Sequence, residues 1–62
     1  MDRYKRLQVL FNDDPENEWQ YVFCHNMTTG GITCTKDKKK ALKERDLQYF
    51  QSKFANYHFR AV

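Results

Sequence analysis

Four side chains of this chain have the types to hold a metal or to pair as nucleophile and base: Cys24, His25, Cys34 and His58. A structural zinc site gathers ligands in close pairs such as Cys-x2-Cys, because one turn then presents two thiolates together. Here Cys24 and His25 are adjacent in a run that reads as a strand, so they point to opposite faces. Cys24 and Cys34 also fall on opposite faces in the register argued below, which disfavours a disulfide too. A catalytic Cys–His pair needs a third, orienting group converging in a pocket. A small sheet with one helix has little concavity to supply it. No P-loop, Gly-x-Gly-x-x-Gly or His-Glu-x-x-His motif is present. The sequence predicts a protein that is not an enzyme, with no metal and no cofactor, whose cysteines serve as small hydrophobes.

Polar residues are the next candidates. In the strands proposed below, Arg6, Gln8, Leu10, Gln20, Val22, Cys24, Asn26, Thr33 and Thr35 alternate onto one face. That face is mostly polar, with an apolar centre at Leu10, Val22 and Cys24. Lys38, Lys39 and Lys40 form a compact basic group at the start of the predicted helix. Such a set suits docking on a macromolecule, either a protein or a nucleic acid.

The elements that must position these residues are written in the aromatic pattern. Ten of the 62 residues are Phe, Tyr or Trp. Runs such as Trp19-Gln20-Tyr21-Val22-Phe23 alternate at the period of a strand. A first strand spans about 4–11, with Leu7, Val9 and Phe11 on its inner face. Asp14-Pro15 then suits a type I turn. A second strand spans about 19–26, antiparallel to the first. Thr28-Thr29-Gly30-Gly31 supplies the next reversal, and a third strand covers about 32–35. An even-length loop keeps Ile32 and Cys34 on the face of Tyr21 and Phe23, with Thr33 and Thr35 on that of Cys24. Asp37 is a candidate N-cap for a helix over about 38–56, whose stripe is Leu47, Phe50, Phe54 and Tyr57. In that helix Lys38, Lys39 and Lys40 lie in the first turn, against the helix dipole. Residues 58–62 read as a short strand or as a frayed tail.

The expected fold is therefore α+β: a small antiparallel three-stranded sheet with one C-terminal helix packed on one face, and room for a fourth strand. It forms a single domain over 1–62. The predicted core is Leu7, Val9, Phe11, Trp19, Tyr21, Phe23, Ile32, Cys34, Leu47, Phe50, Phe54 and Phe59. Each buried ring removes roughly 150–250 Å² from water, which lets a short chain close a core without disulfides or metal.

Net charge is modest at +3, but it is segregated. Asp13, Asp14, Glu16 and Glu18 make an acidic corner; Lys36, Lys38, Lys39, Lys40, Lys43 and Arg45 make a basic one. Two corners of opposite sign suit oriented docking. No apolar run approaches the ~20 residues of a membrane span, and the first residues lack the apolar stretch of a secretory signal. The expectation is a soluble, cytoplasmic protein with reduced thiols and no membrane contact. The two sheet edges and the Leu10–Val22–Cys24 patch also allow a homodimer.

Two readings of function follow. The strand–strand–helix–strand order over Trp19 to Val62 resembles small phage inhibitors of bacterial RNA polymerase in size and topology. That implies a small accessory protein, of a kind encoded by phages and mobile elements, that inhibits or modulates nucleic-acid-processing or defence machinery by occlusion. This protein-docking reading leads. The strand–turn–strand–helix order over Trp19 to Tyr49, with its Thr28-Thr29-Gly30-Gly31 turn, is similar to the arm-site DNA-binding domain of tyrosine recombinases and to the plant AP2-type domain. That implies DNA- or RNA-binding through the sheet face bearing Arg6, Gln8, Gln20, Asn26, Thr33 and Arg60, with Lys38, Lys39 and Lys40 on phosphates. The partner-binding residues expected are Arg6, Gln8, Leu10, Gln20, Val22, Thr33, Lys38, Lys39 and Lys40. The rings are assigned to the core. If they line up on the open sheet instead, a single-strand-binding reading returns.

Overall fold

A computed structural model describes residues 4–12, 16 and 18–62. Alternating apolar residues build four strands: β1 (Leu7–Leu10), β2 (Gln20–Asn26), β3 (Gly31–Thr35) and β4 (His58–Ala61). They form one antiparallel sheet in the order β3-β2-β1-β4. The helix α1 (Leu47–Lys53) packs on one face. The α+β class and the helix on one face match the sequence reading, and the last residues take the strand alternative. The expected Asp14-Pro15 turn and the acidic Asp13 and Asp14 lie outside the described residues.

The core consists of Leu7, Val9, Val22, Phe50 and Phe59, with Phe11, Ile32, Cys34, Leu42, Leu47, Phe54 and Tyr57 packed around them. All four residues of the expected helical stripe reach the core, but α1 ends at Lys53, so only Leu47 and Phe50 lie on it and Phe54 and Tyr57 follow its end. Phe50 is buried, its ring stacks on Phe54 at 5.8 Å, and it tilts against Phe59 at 5.8 Å. Phe11 closes one end edge-on to Tyr57 at 4.9 Å. There the Asn12 side chain donates to the Asn56 carbonyl.

The β2–β3 turn uses an even loop, set one residue earlier than expected: Asn26 faces Gly31 and His25 faces Ile32. Moving both loop ends together keeps the same residues on each face. Asn26 Oδ1 accepts from the N–H groups of Thr28 and Thr29 at 3.0 and 3.3 Å. Gly30 takes φ +76°, a conformation that L side chains avoid.

Two departures from the expected fold change what the face carries. The first is a β-bulge at Phe23. Val22 pairs with Cys34 and Cys24 with Thr33, so Phe23 is the extra residue. The bulge inverts the alternation of everything before it. Val22 turns into the core at 0% exposure, and Phe23 turns out at 44%. Trp19, Tyr21 and Phe23 therefore leave the core in which they were expected.

The second departure is a fork in the sheet. β1 and β2 pair only through Gln8–Tyr21 and Val9–Gln20, and then they diverge. The backbone groups left open there need partners. Leu42 supplies them: its N–H donates to the Val22 carbonyl, and its carbonyl accepts from the Leu7 N–H, both at 2.8 Å. Glu44 N–H donates to the Lys5 carbonyl at 3.0 Å, and Arg6 bridges Lys43. Residues 41–43 are thus extended, not helical, and Ala41 is buried.

The single helix expected over 38–56 is accordingly broken. Lys38–Lys40 and Glu44–Asp46 form separate 3-10 turns, and α1 starts only at Leu47. Asp37 does cap, but it caps the first short turn, through Lys39 N–H at 3.0 Å. The expected clash of three lysines with the long helix's dipole is removed, since Glu44 and Asp46 lead into α1 instead.

Candidate functional site: the open face of the sheet

Pairing defines the face that α1 leaves uncovered. Gln8 faces Tyr21 on one side and Arg60 on the other, so all three side chains share it. Alternation adds Leu10 from β1 and Arg6 just before it, Trp19 just before β2, His58 from β4, and Thr33 and Thr35 from β3. Lys43 joins through its bridge to Arg6. Strand alternation alone would have put Gln20 and Val22 here. The bulge places both on the core side, where Gln20 pairs with Val9 and Val22 is fully buried.

Of the residues expected to bind a partner, Arg6, Gln8, Leu10 and Thr33 do share the open face. Lys38, Lys39 and Lys40 stand apart as an exposed turn between the end of β3 and the fork. The sequence reading missed Trp19, Tyr21 and Lys43. Its signal was the run Tyr21-Val22-Phe23-Cys24, four apolar residues that cannot all obey a two-residue period.

The face is held in a definite arrangement. Gln8 is a buried polar residue at 8% exposure, and its Oε1 accepts from Arg60 Nε–H at 2.8 Å. That bond aims the guanidinium over Trp19, with its central carbon 4.2 Å from the ring centroid. At the other end the Lys43 ammonium sits 4.0 Å from the Tyr4 centroid, and the Arg6 guanidinium carbon lies 5.9 Å from it. Arg6 Nη1 also donates to the Ala41 carbonyl at 2.9 Å, tying this end to the fork. Cations thus meet ring faces at both ends of β1. None of the four strands carries an Asp or Glu. Glu16 and Glu18 precede Trp19 and are exposed.

The thiols and imidazoles are dispersed. Cys24 and Cys34 are free and lie on opposite faces, as expected from the register. Burial pushes the Cys34 thiol above its ordinary pKa. His25 shares a 3.1 Å hydrogen bond with the Tyr49 hydroxyl, and Phe54 packs edge-on to its ring at 5.1 Å. His58 is on the far edge strand. No helix among the described residues is long and apolar enough to cross a membrane.

Compared with family models, with curated proteins and with solved structures, the chain finds no match. Its functional reading rests on the open face.

Proposed function

We propose that this chain is a non-enzymatic binding domain that engages nucleic acid through the open face of its sheet. One observation carries the reading: Trp19 and Tyr21 share that face with Arg60, Arg6 and Lys43, and the four strands that build it carry no carboxylate. Cations neutralise phosphates, and ring faces stack on bases. Lys38, Lys39 and Lys40, exposed on the turn after β3, add positive charge outside that face. The test is a shift assay with single-stranded and duplex DNA and RNA at low salt. Affinity should fall steeply as salt rises, and replacing Lys38, Lys39 and Lys40 together by Ala should weaken every complex. Absence of binding to all four ligands at low salt overturns the reading.

A second reading is the docking on, and occlusion of, a protein partner, such as nucleic-acid-processing machinery. Its expected centre at Val22 is lost to the core. A different feature supports it: Phe23 at 44% and Met27 at 80% exposure stand on the hairpin that carries the edge strand β3. Under this reading Phe23→Arg abolishes capture of one stoichiometric partner while the fold is kept. Under the nucleic-acid reading it does not weaken oligonucleotide binding, since it adds a cation.

A further inference from the structure

We infer that the nucleic acid this face takes is single-stranded, with one unpaired base joining the stack of Arg60 on Trp19; the inference rests on the nucleic-acid reading above. Width is the first argument. Strands in a sheet lie about 4.8 Å apart, so the outer strands of four are roughly 14 Å apart before any side chain is counted. The major groove is about 12 Å wide and admits a two-stranded ribbon. The four strands side by side exceed it, so the whole face is not read from within the groove.

The second argument is what the face offers. A ring or a guanidinium plane can stack on a base only when the base is not already covered by its neighbours in a duplex. Trp19 and Tyr21 are two residues apart on one face, and Arg60 already lies against Trp19. Gln8 takes the Nε–H of Arg60 and is itself buried, so the guanidinium is oriented before any ligand arrives. Arg60 remains exposed, which leaves its two Nη groups for a base edge or a phosphate.

Charge then sets the path. Glu16 and Glu18 stand at the Trp19 end, and Arg6 and Lys43 at the other end of β1. Leu10 to Arg6 spans four residues, roughly 13 Å of strand. A strand whose base stacks at Trp19 runs its phosphates away from the two carboxylates and toward Arg6 and Lys43.

Trp19 is the sole tryptophan, so its emission reports on this spot. The full chain is titrated at low salt with an oligothymidylate of about 12 nucleotides, a duplex of the same length, and polyphosphate as an anion without bases. The single strand should quench Trp19 and bind at least tenfold tighter than the duplex, and polyphosphate should leave emission unchanged. Tyr21→Leu and Arg60→Gln should each weaken single-strand binding by about tenfold, the scale of one lost stack, with thermal unfolding still cooperative. Equal or tighter duplex binding without quenching overturns this inference and leaves the broader reading standing. Quenching by polyphosphate equal to that by the oligonucleotide also overturns it. Binding to neither nucleic acid overturns both.

Discussion

Arg60 and Trp19 meet across the central strand β1: the guanidinium carbon of one lies 4.2 Å from the ring centroid of the other. They approach from opposite sides of Gln8, whose buried carboxamide oxygen accepts the Arg60 Nε–H. An exposed cation–ring pair is worth about 0.5–1 kcal/mol, and stranding a buried acceptor costs about 1–3 kcal/mol. Arg60→Ala should therefore destabilise the fold by more than the ring contact alone, by about 1–2 kcal/mol in urea unfolding. In Gln8→Leu, where no acceptor is left behind, Arg60→Ala should cost under about 1 kcal/mol. Equal costs in both backgrounds would remove Gln8 as the anchor.

The bulge makes neighbouring apolar residues unequal. Val22 is fully buried and Phe23 is turned out. Val22→Ala should cost about 2 kcal/mol, through lost burial plus the cavity it leaves. Phe23→Ala, though it deletes more atoms, should cost under about 1 kcal/mol. Chemical denaturation of the two variants settles the phase of β2, and the reverse ranking would place the bulge elsewhere.

Leu42 holds the fork through both backbone groups. Leu42→Pro removes the N–H that reaches Val22 and should cost about 3 kcal/mol or more, enough to unfold a domain of this size. Lys38→Pro is the control. It opens a helical turn, where proline is tolerated, so its melting temperature should stay near that of the parent. A folded Leu42→Pro variant would show that the fork is closed by side chains alone.

Burial raises the pKa of the Cys34 thiol above its ordinary value. The folded state thus holds this proton more tightly than the unfolded one. The corresponding stability is present below the unfolded pKa and is lost as pH rises through the folded value. Unfolding free energy of the parent, measured from pH 7 to 10.5, should fall relative to that of Cys34→Ser at the alkaline end. Alkylation of Cys34 should also lag in the folded protein behind the denatured one at pH 8–9. A parent and a serine variant that run parallel across the range would contradict the burial.

Much of this fold was legible because short-range rules governed it. Leu7 and Val9 alternate with Gln8 over a clean stretch, and Phe50 and Phe54 follow the helical period, so both inner faces were readable. The glycines of the β2–β3 loop located the reversal to within one residue. Trp19, Tyr21 and Val22 were misplaced for a nonlocal reason. A bulge is decided by how a strand meets two partners at once, and β2 has to leave β1 at Val22 to follow β3. The 38–46 segment failed similarly. Its residues favour helix locally, but Ala41 and Leu42 have no apolar continuation at helical spacing, and the fork needed their backbone. Of the site, Arg6, Gln8 and Thr33 came from plain alternation, and the rings beside them were hidden by the inverted phase.

Arg6 and Val62 exchange both backbone hydrogen bonds, at 2.7 and 2.9 Å, and Leu7 faces Ala61 on the next rung. Residues 6 and 62 thus leave the sheet side by side. A mechanical load applied between them pulls across the β1–β4 ladder instead of along it. The rungs then carry the force one at a time, beginning at Arg6–Val62 and moving toward Leu10–His58. Under tension this sheet opens as a zipper, with Phe59 drawn off the core early and the β2–β3 hairpin still paired behind it.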